Sequence, residues 1–153
     1  MGLDPKIRIN LDRSRILLVD ENELALEALT SMFRGFGVRK QFKSRSTAEA
    51  INYVKTQEID LIVLEAAMPD MDGYETIREI RSRPALADLP IVAVTAKAMK
   101  GDPQKCIQAG ASDYVSKPVD IDHLVSVLRV SIQRADAMKL ASDTVVSLIP
   151  QAS

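Results

Sequence analysis

The stretches Ile16-Leu17-Leu18-Val19, Asp60-Leu61-Ile62-Val63-Leu64 and Pro90-Ile91-Val92-Ala93-Val94 do most to limit what this chain can fold into. Each is short, apolar through its centre and rich in branched side chains, with no alternation of polar and apolar residues. Such a strand must be covered on both faces, which is the condition inside a parallel sheet. Between these runs the period becomes helical. Leu24, Leu26, Leu29, Met32 and Phe33 recur at helical spacing until Gly35 and Gly37 stop the helix. Ser46 or Thr47 caps a helix with Ala50, Ile51 and Val54 inside, and Gly73 opens one through Ile77 and Ile80 that halts before Pro84. Asp102-Pro103 is a helix start with its stop at Gly110, and a final helix from about Asp120 buries Leu124, Val125, Leu128 and Ile132.

Two weaker strands complete the series: a mostly polar one from Val38 to Phe42, suited to an edge, and one from Ser112 to Ser116. Five strand–helix pairs with right-handed crossovers predict an α/β fold with a doubly wound, five-stranded parallel sheet, flavodoxin-like, in the order 2-1-3-4-5. The domain spans 15–134. Residues 1–14 are polar and read as an arm or linker, and 135–153 as a tail that prolongs the last helix to about Leu140, its remainder left open.

Composition excludes several classes. A length of 153 residues with 46% hydrophobic content fits one domain with one core. Twenty basic against twenty-one acidic residues give a net charge of −1, which offers no footprint for nucleic acid or an anionic membrane. The single Cys106 rules out an internal disulfide and fits a reducing, cytoplasmic setting. No apolar run approaches the roughly 20 residues that span a bilayer. Gly2 is followed by Lys6 where a myristoylation signal wants Ser or Thr, and a secretory segment is missing.

Ligands of open α/β sheets bind beyond the carboxyl ends of the strands. Those ends carry Asp20 and Glu21, then Glu65, Thr95 and Lys117. Three carboxylates, a hydroxyl and an ammonium thus meet at one edge. Clustered carboxylates need a cation, either a hard divalent ion such as Mg2+ or a lysine. A lysine and a hydroxyl also suit phosphoryl oxygens.

The segments Leu18-Val19-Asp20-Glu21-Asn22, Met68-Pro69-Asp70-Met71-Asp72-Gly73, Val94-Thr95-Ala96 and Asp113-Tyr114-Val115-Ser116-Lys117-Pro118 resemble the receiver domains of response regulators. The stretch from Ala96 to Gly110 and Ala111-Ser112-Asp113-Tyr114 is most similar to receivers of hybrid histidine kinases. The resemblance covers about 14–134. It implies that Asp20 and Glu21 are an acid pair holding Mg2+ together with the Ala67 backbone carbonyl. It likewise makes Thr95 a phosphoryl-contacting switch hydroxyl, Tyr114 the switch aromatic and Lys117 the phosphoryl-pairing lysine, with a cis bond at Pro118. The implied partners are a histidine kinase, a phosphotransfer protein or a downstream protein target. Docking or homodimerisation would use the face of the fourth helix, fifth strand and last helix, where Ile121, Val125 and Arg129 are candidates.

The departure is at the phosphoacceptor. The family pattern sets an aspartate three residues before Met-Pro, and Met68-Pro69 points to Glu65. One extra methylene moves the carboxylate out of the geometry that transfer needs, so phosphorylation there is expected to be absent or very poor. Glu65 then acts as a partial phosphomimic, its single charge short of a phosphoryl group's, or locks the pocket in one state. Whether the glutamate is native or replaces an aspartate of an ordinary phosphorylatable receiver stays open at this point.

Plainer readings compete. Asp20 alone would pass as a solvated strand end, but the whole set in order and spacing does not. Tyr114 is equally suited to ordinary packing, Cys106 to a small buried hydrophobe, and His123 to a surface position near a helix start. Arg39, Lys40, Lys43 and Arg45 read as a solvated edge. A dehalogenase-type phosphoryl-transfer enzyme would need Asp where Asn22 stands, and a flavin phosphate would be repelled by Asp20-Glu21. The expected role is a binding module, not an enzyme.

Overall fold

The computed structural model describes residues 13–66, 68, 72–95 and 102–148, the side chains of 102 and of 138 onward excepted. Strands β1 (Arg15–Val19), β2 (Lys40–Ser44), β3 (Leu61–Glu65), β4 (Ile91–Thr95) and β5 (Asp113–Ser116) alternate with helices α1 (Glu23–Gly35), α2 (Thr47–Thr56), α3 (Gly73–Arg81), α4 (Asp102–Ala109) and α5 (Ile121–Leu148). All neighbouring strands pair parallel, in the order β2-β1-β3-β4-β5. This is the predicted flavodoxin-like topology.

The period of two in each strand divides the core between the sheet's faces. Ile16, Leu18, Val63, Val92 and Val94 pack with Leu26 and Phe33 of α1 and with Leu124, Val125 and Leu128 of α5. Leu17, Val19, Ile62, Leu64, Ile91 and Ala93 face the other way, onto α2, α3 and α4, where Cys106 is buried. Each fully buried Leu or Ile contributes roughly 1.5–3 kcal/mol. The unbroken apolar runs are therefore a requirement of the double cover.

Local chemistry sets the ends. The Asn22 side chain accepts from Ala25 N at 3.1 Å, that of Ser46 from Glu49 N at 3.1 Å, and that of Asp72 from Tyr74 N at 2.9 Å. Ser46, not Thr47, is thus the cap of α2. After α1, Gly37 at φ 88° lets its own N–H reach the Arg34 carbonyl and Val38 N–H reach that of Phe33. That closing turn holds Val38 fully buried and outside the sheet, so β2 runs Lys40–Ser44 instead of Val38 to Phe42. Gly110 (φ 119°) abuts Arg81, whose guanidinium donates to the carbonyls of Gly110 (2.7 Å) and Leu86 (2.8 Å) and to the Ser112 hydroxyl (3.3 Å). Burial lowers the Arg81 pKa, and Asp88 opposes that shift.

Other expectations shift. Leu24 is 75% and Met32 36% exposed, because the inward stripe of α1 is Leu26, Thr30 and Phe33. The last helix passes Leu140 and continues to Leu148, since 135–148 holds neither Gly nor Pro to stop it. Val125 is fully buried against the sheet, as the helical period of the last helix implies, so it belongs to the core and not to the interaction face that the family resemblance suggests for it; Ile121 is half-buried on that core, and Arg129 is exposed.

Candidate functional site

The carboxyl edge gathers the polar residues that end the buried strands. Just past β1, the Asp20 carboxylate is 5% exposed and its Oδ1 accepts from Asn22 N at 2.9 Å. Asn22 therefore works at both ends: its backbone holds Asp20 while its side chain caps α1. Glu21 is half-buried, and its carbonyl accepts from Arg45 Nε at 3.0 Å. Glu65 closes β3 at 6% exposure, and Thr95 closes β4 fully buried.

The fifth position comes from the link after β5. Lys117 N–H donates to the Thr95 carbonyl at 2.9 Å, and the next bond, Lys117-Pro118, is cis. Lys117 Nζ lies 2.8 Å from Glu65 Oε2. A carboxylate this deep is strongly disfavoured as an anion unless paired and hydrogen-bonded, and the ammonium supplies its countercharge. The lysine side chain keeps 37% of its own surface in water.

Beside this pair, a crevice of about 190 Å³ is lined by Asp20, Glu65 and Lys117 together with Leu29 and Met32 of α1 and Pro118 of the β5–α5 link. Tyr114, on β5, is 36% exposed. Ala67 and Asp70 lie outside the described residues. Asp72 caps α3, and His123 sits exposed in the first turn of α5.

One contributor is not visible in the residue pattern as a site element. A Cβ on Gly73 would stand 2.7 Å from Ala66 Cα, Ala66 O and Glu65 O, so the start of α3 presses on the end of β3. The sequence signal for it is the Asp72-Gly73 pair, which marks a helix start but not what the helix leans on.

The chain covers 74% of its own length and 92% of a polar-differentiation response regulator, DivK, of Brucella ovis in a match at 28% identity over 114 residues. Among solved structures, the receiver domain of a sensor histidine kinase from Pseudomonas aeruginosa, with a magnesium ion coordinated in its active-site cleft, is 33% identical. Its TM-score is 0.71, with 78% of this chain and 98% of that one covered. A response regulator from Chloroflexus aurantiacus, at 27% identity over the same shares, gives a TM-score of 0.73. The family model for the response regulator receiver domain matches residues 16–129, and the chain belongs to that family.

Proposed function

We propose that this receiver is a signalling module acting through protein–protein contact, with Glu65 in the phosphoacceptor position and its output independent of phosphorylation. The observation that carries the reading is the buried Glu65 carboxylate held 2.8 Å from Lys117. The cation meant for an incoming phosphoryl group already has an anion. One carboxylate carries less charge than the −1.5 to −2 of a phosphoryl group, so mimicry of the modified state is partial and the pair chiefly locks the pocket.

In this reading Thr95 and Tyr114 keep their places as switch residues, and Asp20, Glu21 and the Ala67 carbonyl as the metal-side groups. Glu65 already has the Lys117 ammonium as its countercharge, so in this reading Mg2+ binds more weakly than in a receiver with an aspartate. Partners are a histidine kinase or phosphotransfer protein that docks without transferring, a downstream protein target, or a second copy through α5, in the cytoplasm.

Intact mass after incubation with acetyl phosphate and Mg2+ tests the assignment, on the protein and Glu65→Asp in parallel. Phosphoryl addition to the variant alone is the expected result. Addition to the parent would sink the reading, because another carboxylate would then be the acceptor.

A further inference from the structure

The basic run from α1 into β2 is not accounted for by the pocket. From Arg34 to Arg45 the chain carries five cations and no acid, leaving fifteen basic against twenty-one acidic residues elsewhere, a net of −6. Arg34, Arg39, Lys40, Lys43 and Arg45 are all exposed. Arg45 lies 3.9 Å from Glu23, and among the described residues the other four have no carboxylate within ion-pair distance.

These cations flank an open sheet edge. β2 pairs on one side only, with β1. The Ser44 carbonyl points toward β1, where it accepts from Asp20 N at 3.0 Å. By strand alternation the backbone groups of Gln41 and Lys43 point outward, a ready template for another strand. One or two lysines are enough to guard such an edge against aggregation. Four like charges without a counter-acid, beside a fifth that has one, also repel one another, which a solvated edge alone does not require.

We infer that the open edge of β2 docks an extended acidic segment of a partner protein, which adds a strand to the sheet and sets carboxylates on its two faces against Lys40 on one face and Lys43 on the other. A second copy pairing β2 to β2 would oppose like charges. Nucleic acid is disfavoured because the patch offers no ring for stacking: Phe42 is half-buried, with Tyr53 at 5.4 Å and the Arg15 guanidinium over its face at 5.3 Å. This inference does not depend on Glu65 or on the state of the pocket.

The test is fluorescence anisotropy of a labelled peptide of about ten residues in which pairs of Glu alternate with pairs of Val or Thr, so that carboxylates lie on both faces, a length that spans the short edge, titrated with the full chain at low salt. Comparators are the same peptide N-methylated at alternate amides, single-stranded DNA, and phosphatidylserine vesicles. The peptide is expected to bind. Affinity should fall at least about tenfold for Lys40→Glu/Lys43→Glu and for the methylated peptide, while Lys105→Glu on exposed α4 changes nothing. A thermal melt confirms that the double variant is folded, and Lys40→Gln/Lys43→Gln replaces it if not. Undetectable binding, equal affinity for the methylated peptide, equal loss in Lys105→Glu, or DNA or vesicles binding as tightly would each overturn the inference.

Discussion

Replacing Lys117 by methionine should cost far more stability than replacing Glu65 by glutamine, although each removes one half of the same ion pair. At the 2.8 Å separation of Nζ and Oε2, an effective dielectric near 20 gives a gross attraction of about 6 kcal/mol. Much of that is offset. The lysine side chain is 37% exposed, so water screens the pair, and the ammonium recovers hydration when released. The glutamate side chain, at 7%, has no such recourse. Lys117→Met therefore leaves a buried anion short of its cation, at about 1.5–3 kcal/mol. Glu65→Gln keeps the volume and removes the charge while Lys117 turns to solvent, at about 0–1 kcal/mol.

The double variant should be no less stable than Lys117→Met, since the anion that suffers is gone, giving a coupling of about 1–2 kcal/mol. Urea unfolding followed by circular dichroism on the parent, both singles and the double closes the cycle. Lys117→Met within about 0.5 kcal/mol of the parent, or strictly additive singles, would refute the view that this pair holds the pocket.

Gly73→Ala should lower stability by about 1–3 kcal/mol in the same assay even though alanine is the better helix former. The new methyl would meet backbone atoms at 2.7 Å that have no free end to swing away. Arg81→Met should cost about 1–3 kcal/mol in thermal unfolding by releasing the carbonyls of Gly110 and Leu86, and Arg81→Lys should not restore it, because one ammonium cannot reproduce the fork. Val125→Asp should abolish cooperative folding, whereas exposed Arg129→Asp stays within about 0.5 kcal/mol of the parent; a folded Val125→Asp protein would contradict the core assignment.

What could be read from the sequence follows from what forces each residue. β1, β3 and β4 are covered twice, so their central positions must all be apolar and the pattern announces itself. β2 is an edge strand with half its surface in water, and its bounds drift by two residues because nothing in Val38-Arg39-Lys40 says where pairing begins. That was decided by Gly37 and the closing turn of α1, a backbone event. The apolar stripe of α5 was visible and placed Val125 facing the sheet; it was the family resemblance, not the period, that grouped it with Arg129, which faces water. Leu24 shows the converse: an apolar residue at acceptable spacing that lies on the wrong side.

The site was legible for a different reason. In a parallel sheet all strands end at the same edge, so the first polar residue after each apolar run belongs there before any contact is known. Asp20, Glu65, Thr95 and Lys117 follow from that rule alone. Who pairs with whom does not. Lys117 comes fifty-two residues after Glu65, yet its Nζ lies 2.8 Å from the Glu65 carboxylate while its own N–H is anchored on the Thr95 carbonyl at the end of β4. Asn22 and Gly73 contribute through backbone atoms, an N–H and a missing Cβ, which no list of ionisable side chains contains. The chemistry of this pocket is thus written in side chains at strand ends, but its geometry is held by backbone groups one turn away. A substitution that spares every ionisable residue, such as Gly73→Ala, should therefore disturb the Glu65–Lys117 pair.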